Sequence, residues 1–422
     1  MTLLNGEKSG NEKVAGPSYL RGADSTHPDC VQNAIWTQHD GQLNHSHEYP
    51  GGFFRLVKTS FALPLNSERL YFLSKGAFSH GTIEIIDDGK NGDDNVVVDI
   101  AFLYSREVAL TKMEVCRLQR GSSANGIGIF SPTFMWPHLW DRTHVAVVVH
   151  LPRGGVNPCR YHVFETDMSG FVHNVRNLDS SATFRSVSLK TTNVPINIQS
   201  LTAESGRVET TNSPIEGKIT SSASFEVRTT NAPVKVNATL YSKDNASPTK
   251  LHLFTQNSVI RSDISLVNHN PGDTGGSFDI KTTTTNASID LTFPICPTSA
   301  RLSLDAHSSN APVNITLHPS YEGSFDLKAS TWMGTSVKYQ DVIEDPAGKG
   351  RQRLVEVLDD KKGHAEGSVQ WRGDTVGAGG ARVPGSIKLI REQAYLKRPA
   401  PSRDSTLVYQ YVTPAHYVLP RL

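Results

Sequence analysis

The chain lacks most of the features that mark an enzyme, a disulfide scaffold or a membrane protein. Its 422 residues hold four cysteines, Cys30, Cys116, Cys159 and Cys296. They are widely scattered, with no CxxC pair and no zinc-type spacing, so buried or free thiols are expected rather than a disulfide framework. No stretch approaches the ~20 apolar residues of a membrane span, and the opening MTLLNGEKSGNEK has no signal-peptide core. A cytoplasmic location is therefore expected, with an unconventional route to the outside left open. Five N-x-S/T triplets, starting at Asn44, Asn237, Asn245, Asn286 and Asn314, then read as chance products of an Asn/Ser/Thr-rich chain. An excess of one charge is missing too. With 42 Lys+Arg against 41 Asp+Glu, no global field points to nucleic acid or to an anionic membrane. Also absent are a GxSxG elbow, an HExxH pair, a Walker loop and a GxGxxG turn. No cofactor and no metal site are expected.

Hydrophobic content is 37%, low for a globular enzyme but too high for disorder. Residues 1–52 are polar and without periodicity, and read as a disordered arm, with order beginning near Phe53. Residues 53–180 form a β-rich N-terminal part or cap, with candidate strands at 61–65, 70–73, 81–86, 96–104, 145–151 and 161–164. The Gly/Asn/Asp cluster 87–95 between two of these signals a hairpin. Val145-Ala146-Val147-Val148-Val149 is apolar on both parities, so this strand is expected to be covered on both faces.

From about 181 the sequence repeats itself. TTNVPI at 191–196 returns as TTNSPI at 210–215 and TTNAPV at 229–234, and Asn193, Asn212 and Asn231 are 19 residues apart. Looser copies surround Asn257, Asn286 and Asn310, at spacings of 26, 29 and 24 residues, as expected for one unit with loop insertions. Repetition at ~20–50 residues is the mark of stacked repeat folds. Between turns the chain alternates with period two, as in Phe225-Glu226-Val227-Arg228-Thr229 and Val234-Lys235-Val236-Asn237-Ala238. Such a strand packs one face and wets the other. The expected fold is therefore all-β, a parallel β-solenoid of two-strand rungs with few helices. The repeat covers 181–335, terminal rungs occupy 336–395 (strand candidates 354–358, 368–371 and 386–390), and 396–422 is a tail. About seven rungs in 181–335 would stack to roughly 30–35 Å.

Chemistry suits the turns to corners. Asparagine tolerates the left-handed conformation, and proline fixes φ and donates no N–H. The turn residues are Asn193, Pro195, Asn212, Pro214, Asn231, Pro233, Asn257, Asn286, Asn310 and Pro312. Stacked copies of Asn and Thr would form side-chain hydrogen-bond ladders up one corner.

The TTNxPI units resemble bacterial adhesin-type β-solenoid repeats, a family of unknown biochemical role. The wider arrangement resembles a fungal family of uncharacterised proteins with such repeats. That resemblance rests on Ser60-Phe61-Ala62-Leu63-Pro64-Leu65, the strand pair around Gly76 and Gly81, Val115-Cys116-Arg117-Leu118, Gly126-Ile127-Gly128-Ile129-Phe130 and the TTN units. It covers about 55–395, implies a β-solenoid and transfers no catalytic residues.

Several local features have plainer readings than functional ones. The acidic loop 87–95 does not match calcium-loop spacing and reads as a solvated hairpin. His39, His45 and His47 lack a fixed ligand framework. Arg372-Gly373-Asp374 is a short tripeptide that arises by chance. Phe134, Trp136 and Trp140 suit a core or cap better than a sugar platform. Two functions then compete. The first is a non-catalytic structural or interaction protein, adhesin-like, binding a protein or polysaccharide surface. The alternative is a carbohydrate-active β-helix enzyme, a polysaccharide lyase or hydrolase, which needs converging carboxylates. Glu209, Glu226, Asp279 and Asp326 instead alternate with Lys or Arg, a pattern suited to cross-strand pairing.

Overall fold

The computed structural model describes residues 19–21, 27–38, 55–77, 79–89, 94–132, 143–154, 157–268, 274–329, 335–340, 342–361, 363–373, 385–390 and 407–409. They are almost wholly β, with one short helix, Glu107–Lys112. Alternating apolar residues make the strands one-sided. In Val234–Ser242, for example, Val234, Val236, Ala238 and Leu240 are buried while Lys235 and Asn237 are exposed.

Two long ladders carry the architecture. In ladder A, Ala124–Phe130, Arg69–Lys75, Cys159–Met168 and Ala182–Lys190 pair in parallel. The ladder continues through the second halves of Ile196–Glu209 and Ile215–Arg228 to Thr249–Phe254, Ser277–Thr284 and Arg301–Ser308. In ladder B, Gly81–Gly89 and Phe171–Asn177 lead into the first halves of the same two long strands. Val234–Ser242, Ile260–Asn268, Ile289–Thr292 and Val313–Leu317 follow, all parallel. Strands before each TTN turn belong to ladder A and strands after it to ladder B.

One continuous core joins the ladders. Ile196, Ile215, Val234, Ile260, Ile289 and Val313 stand in register as one buried column of ladder B. Leu189, Val208, Val227, Leu253, Thr282 and Ala306 form a buried column of ladder A. Each such aliphatic side chain contributes about 1.5–3 kcal/mol of burial, and only stacking supplies its neighbours. Glycine appears where stacking demands it. A Cβ on Gly217 (φ +144°) would lie 1.9 Å from the Ile198 carbonyl oxygen. There the pairing slips, with Gln199 and Ser200 opposite Lys218, which is a bulge in the middle of the stack.

The structure departs from several sequence-based expectations. The arm 1–52 contains paired strands: Cys30–Asn33 lies antiparallel to Glu114–Arg120, and Ile35–Gln38 antiparallel to Arg55–Pro64. Trp36 is fully buried; its indole gains more from burial than the polar flanks lose. The 87–95 segment closes no hairpin. Thr143–Pro152 inserts between the two flanking strands, parallel to Gly81–Gly89 and antiparallel to Asn95–Tyr104. That middle strand is one-sided after all: Val145, Val147 and Val149 are buried, whereas Ala146 and Val148 are partly exposed. Its second apolar parity reflects strand preference.

The C-terminal rungs are not a simple continuation. Gln352–Lys361 and His364–Arg372 form an antiparallel hairpin beside Gly323–Lys328. Gly385–Ile390 inserts in parallel between Arg301–Ser308 and Gly323–Lys328. The tail supplies Leu407–Tyr409, antiparallel to Val313–Leu317 and to Val337–Lys338.

Candidate interaction surface

The TTN turns stack into one corner. Asn212 Nδ2 donates to Asn193 Oδ1 at 2.5 Å, Asn231 to Asn212 at 2.6 Å and Asn257 to Asn231 at 2.6 Å. Asn286 donates to Asn257 at 2.6 Å, and Asn310 to Asn286 at 2.7 Å. All six asparagines are exposed. Among them only Asn193 has a positive φ, 65°. Asparagine is thus used mainly for its amide, which donates and accepts at once.

The first threonine of each turn points the other way. Thr191, Thr210, Thr229, Thr255, Thr284 and Ser308 are buried. Their hydroxyls donate to carbonyls of the preceding turn, such as Thr229 to Ser213 at 3.2 Å and Thr255 to Ala232 at 3.1 Å. These bonds satisfy backbone oxygens that a bend would otherwise leave dry. The prolines stand where no donor is needed, and their carbonyls accept from the rung before. Pro195, Pro214, Pro233 and Pro312 receive the amides of His173, Ile196, Ile215 and Ile289.

The outer faces carry alternating charges. On ladder A, Glu165, Ser188, Arg207, Glu226, His252, Lys281 and Asp305 follow one another in register. Arg207 bridges Glu209 at 2.9 Å and Glu226 at 3.3 Å. Asp326 takes Lys328 at 2.8 Å and His364 at 3.0 Å. Asp279 lies beside Lys250 in register. On ladder B, Glu216 pairs with Lys235 at 2.9 Å and Asp290 with Arg261 at 3.6 Å. Exposed pairs of this kind each add less than ~1 kcal/mol, and they set opposite charges beside one another along the face.

Asp88 and Asp99 flank His150, at 2.7 Å from Nδ1 and 3.2 Å from Nε2. The two carboxylates approach opposite edges of the ring, so they cannot share one cation with it. Among the described residues no group of three or more His, Cys, Asp or Glu is arranged to hold a metal. None of the four cysteines is joined in a disulfide, and Cys116 and Cys296 are buried. Phe134, Trp136, Trp140, His39, His45, His47 and Asp374 lie outside the described residues, as do residues 90–93 of the acidic loop.

Two buried polar sites carry no sequence signature of their own. His173 is fully buried between the ladders. Its Nδ1 donates to the Phe171 carbonyl at 2.9 Å, and its Nε2 accepts from the Thr166 hydroxyl at 2.8 Å. Burial depresses its pKa to about 4. Asp345 accepts from the amides of Ala347, Lys349 and Arg351 and from the Arg351 guanidinium. That guanidinium holds the carboxyl well below the usual carboxylate range. Arg351 also pairs with Glu322 at 3.0 Å and lies over the Trp371 ring.

Residues 228–388 match a domain of unknown function, DUF7330. This segment takes in the turns at Asn231, Asn257, Asn286 and Asn310 and the C-terminal hairpin, and leaves Asn193 and Asn212 outside. Among curated proteins none matches the chain. Among solved structures it is similar to a candidate cell adhesion protein from Clostridium sporogenes, at 9% identity and a TM-score of 0.19, over 80% of this chain and 94% of that one. It is also similar to a candidate adhesin from Parabacteroides merdae, at 10% identity and a TM-score of 0.22, over 58% of this chain and 93% of the other.

Proposed function

We propose that the two ladders are opposite walls of a parallel β-solenoid that works without catalysis, as a rigid scaffold presenting its outer faces to another surface, protein or polysaccharide. The observation that carries this reading is the pairing of the outer acids. Glu209, Glu226, Glu216, Asp290 and Asp326 are each bridged to a base or histidine on the same or a neighbouring strand. A hydrolase or lyase needs carboxylates converging on a cleft, whereas a docking face needs charges held in fixed, complementary positions. The pair around His150 comes nearest to convergence, yet Asp88 and Asp99 are half-exposed on an open face.

The test is a native pull-down with tagged full-length chain, run beside charge-reversed variants of each outer face and combined with localisation of the tagged protein. A partner held by the parent and lost on reversal of Arg207 or Lys235 to Glu supports the scaffold. Turnover of a polysaccharide by the purified chain, abolished by Asp99→Asn, would replace it with the enzymatic reading.

A further inference from the structure

The bulge at Gly217 opens a shallow groove of about 410 Å³ on the outer face of ladder B. Three successive rungs line it with polar side chains. Asn197, Glu216 and Lys235 stand in register, and Lys218 faces Asn237 one step along. Gln199, on the bulged strand, completes the lining. Gly217 lies between the two rows, in register with buried Ile198 and Val236, where a Cβ would collide with the Ile198 carbonyl.

The bonding state of the lining is uneven. Glu216 and Lys235 neutralise one another at 2.9 Å. Lys218, Gln199 and Asn237 are exposed and have no bonded partner among the described residues. One unpaired ammonium therefore stands beside three amides. Asn197 already donates to Asn174 Oδ1 at 3.0 Å and keeps its second N–H and its oxygen, while Gln199 and Asn237 can both donate and accept. Two lysines against one glutamate leave the groove with one net positive charge. Vicinal hydroxyls also donate and accept, and a carboxylate answers the ammonium. The groove volume is within the range of small-molecule sites, and its openness to solvent limits affinity.

From this geometry we propose that the groove is a low-affinity subsite for a carboxylate-bearing sugar, with Lys218 on the carboxylate and Asn197, Gln199 and Asn237 on the hydroxyls. The proposal deepens the scaffold reading and rests on it, naming an acidic polysaccharide as the surface contacted on this face.

The test is calorimetric titration of full-length protein with trigalacturonate, and with maltotriose as the uncharged α-1,4 control. Trigalacturonate binds in the millimolar to sub-millimolar range, weakens with added salt and loses roughly tenfold or more in affinity in Lys218→Glu. Asn237→Ala weakens it less, and Lys250→Glu on the other face leaves it unchanged. Unchanged circular dichroism shows that the variants fold. Equal binding of the two sugars, no binding of trigalacturonate, or binding indifferent to Lys218→Glu each overturns the proposal. The pull-down separates the two readings. A partner retained on either outer face without sugar binding leaves the scaffold standing and removes only this subsite.

Discussion

The side-chain amide of Asn212 donates to Asn193 across 2.5 Å, although 19 residues separate them in the chain. Four further bonds of the same kind extend the column to Asn310. Asn231→Ala removes one donor and one acceptor from its interior. A loss of about 0.5–1 kcal/mol per bond is expected, read as a lower thermal midpoint. Asn310→Ala, which removes one of the bonds seen here, should cost less. Equal midpoints for parent and Asn231→Ala would show that the exposed amides exchange freely with water.

Threonine hydroxyls in the core separate into two kinds. Thr229 Oγ1 donates to the Thr211 and Ser213 carbonyls. Thr282 Oγ1 is buried without a partner, in an apolar column between Leu253 and Ala306. Thr229→Val should destabilise by about 1–2 kcal/mol, whereas Thr282→Val should be neutral or stabilising. Chemical denaturation of the two variants side by side checks this, and the reverse order would refute it.

Gly217→Ala places a Cβ against the Ile198 carbonyl oxygen at a φ of +144°. A loss of more than ~2 kcal/mol is expected. A silent substitution in a melting experiment would mean that the bulge can relax.

Acid should act in two separate windows. His173 has a folded pKa of about 4 against 6.5 when unfolded. Between these values the unfolded chain binds more protons, so stability rises with pH. It is fully present above about 6.5 and is lost as pH falls to about 4, for a total of about 3 kcal/mol. His173→Gln should flatten that slope in urea titrations at pH 4–7. Asp345 has a depressed folded pKa, so its share is present above the ordinary carboxyl value of 3.8 and goes only as pH falls below it. Asp345→Asn leaves the Arg351 guanidinium without its main partner and should cost about 3 kcal/mol at neutral pH. A variant as stable as the parent would show that the 345–351 loop is held by other contacts.

Strands alternating in Val234–Ser242 and Phe225–Arg228 were legible because one wet face and one dry face force period two. The TTN corner was legible because identical geometry on successive rungs selects identical side chains. What stayed hidden depends on pairing across long chain separations. Nothing near Val145 says that its strand enters between Gly81–Gly89 and Asn95–Tyr104. His173 gives no local sign that its partner is Thr166, and the bulge opposite Lys218 appears only when two rungs are aligned. Trp36 lay inside a polar stretch whose average composition outweighed a single large ring.

The order of strands in ladder A has a consequence for how the molecule is made. Arg301–Ser308 contacts Gly385–Ile390, and only beyond that comes Gly323–Lys328. A chain emerging from the ribosome can lay down rungs one after another until Ser308. It must then wait, because the wall position next in space is filled by residues synthesised about eighty positions later. In that interval the nascent 323–328 segment gains only the antiparallel neighbour His364–Arg372, and it has no link to the wall at Arg301–Ser308. Shortening the gene after codon 384 should therefore leave Gly323–Lys328 held by His364–Arg372 alone and detached from Arg301–Ser308, and a ribosome pausing there would hold an incomplete edge open to a chaperone.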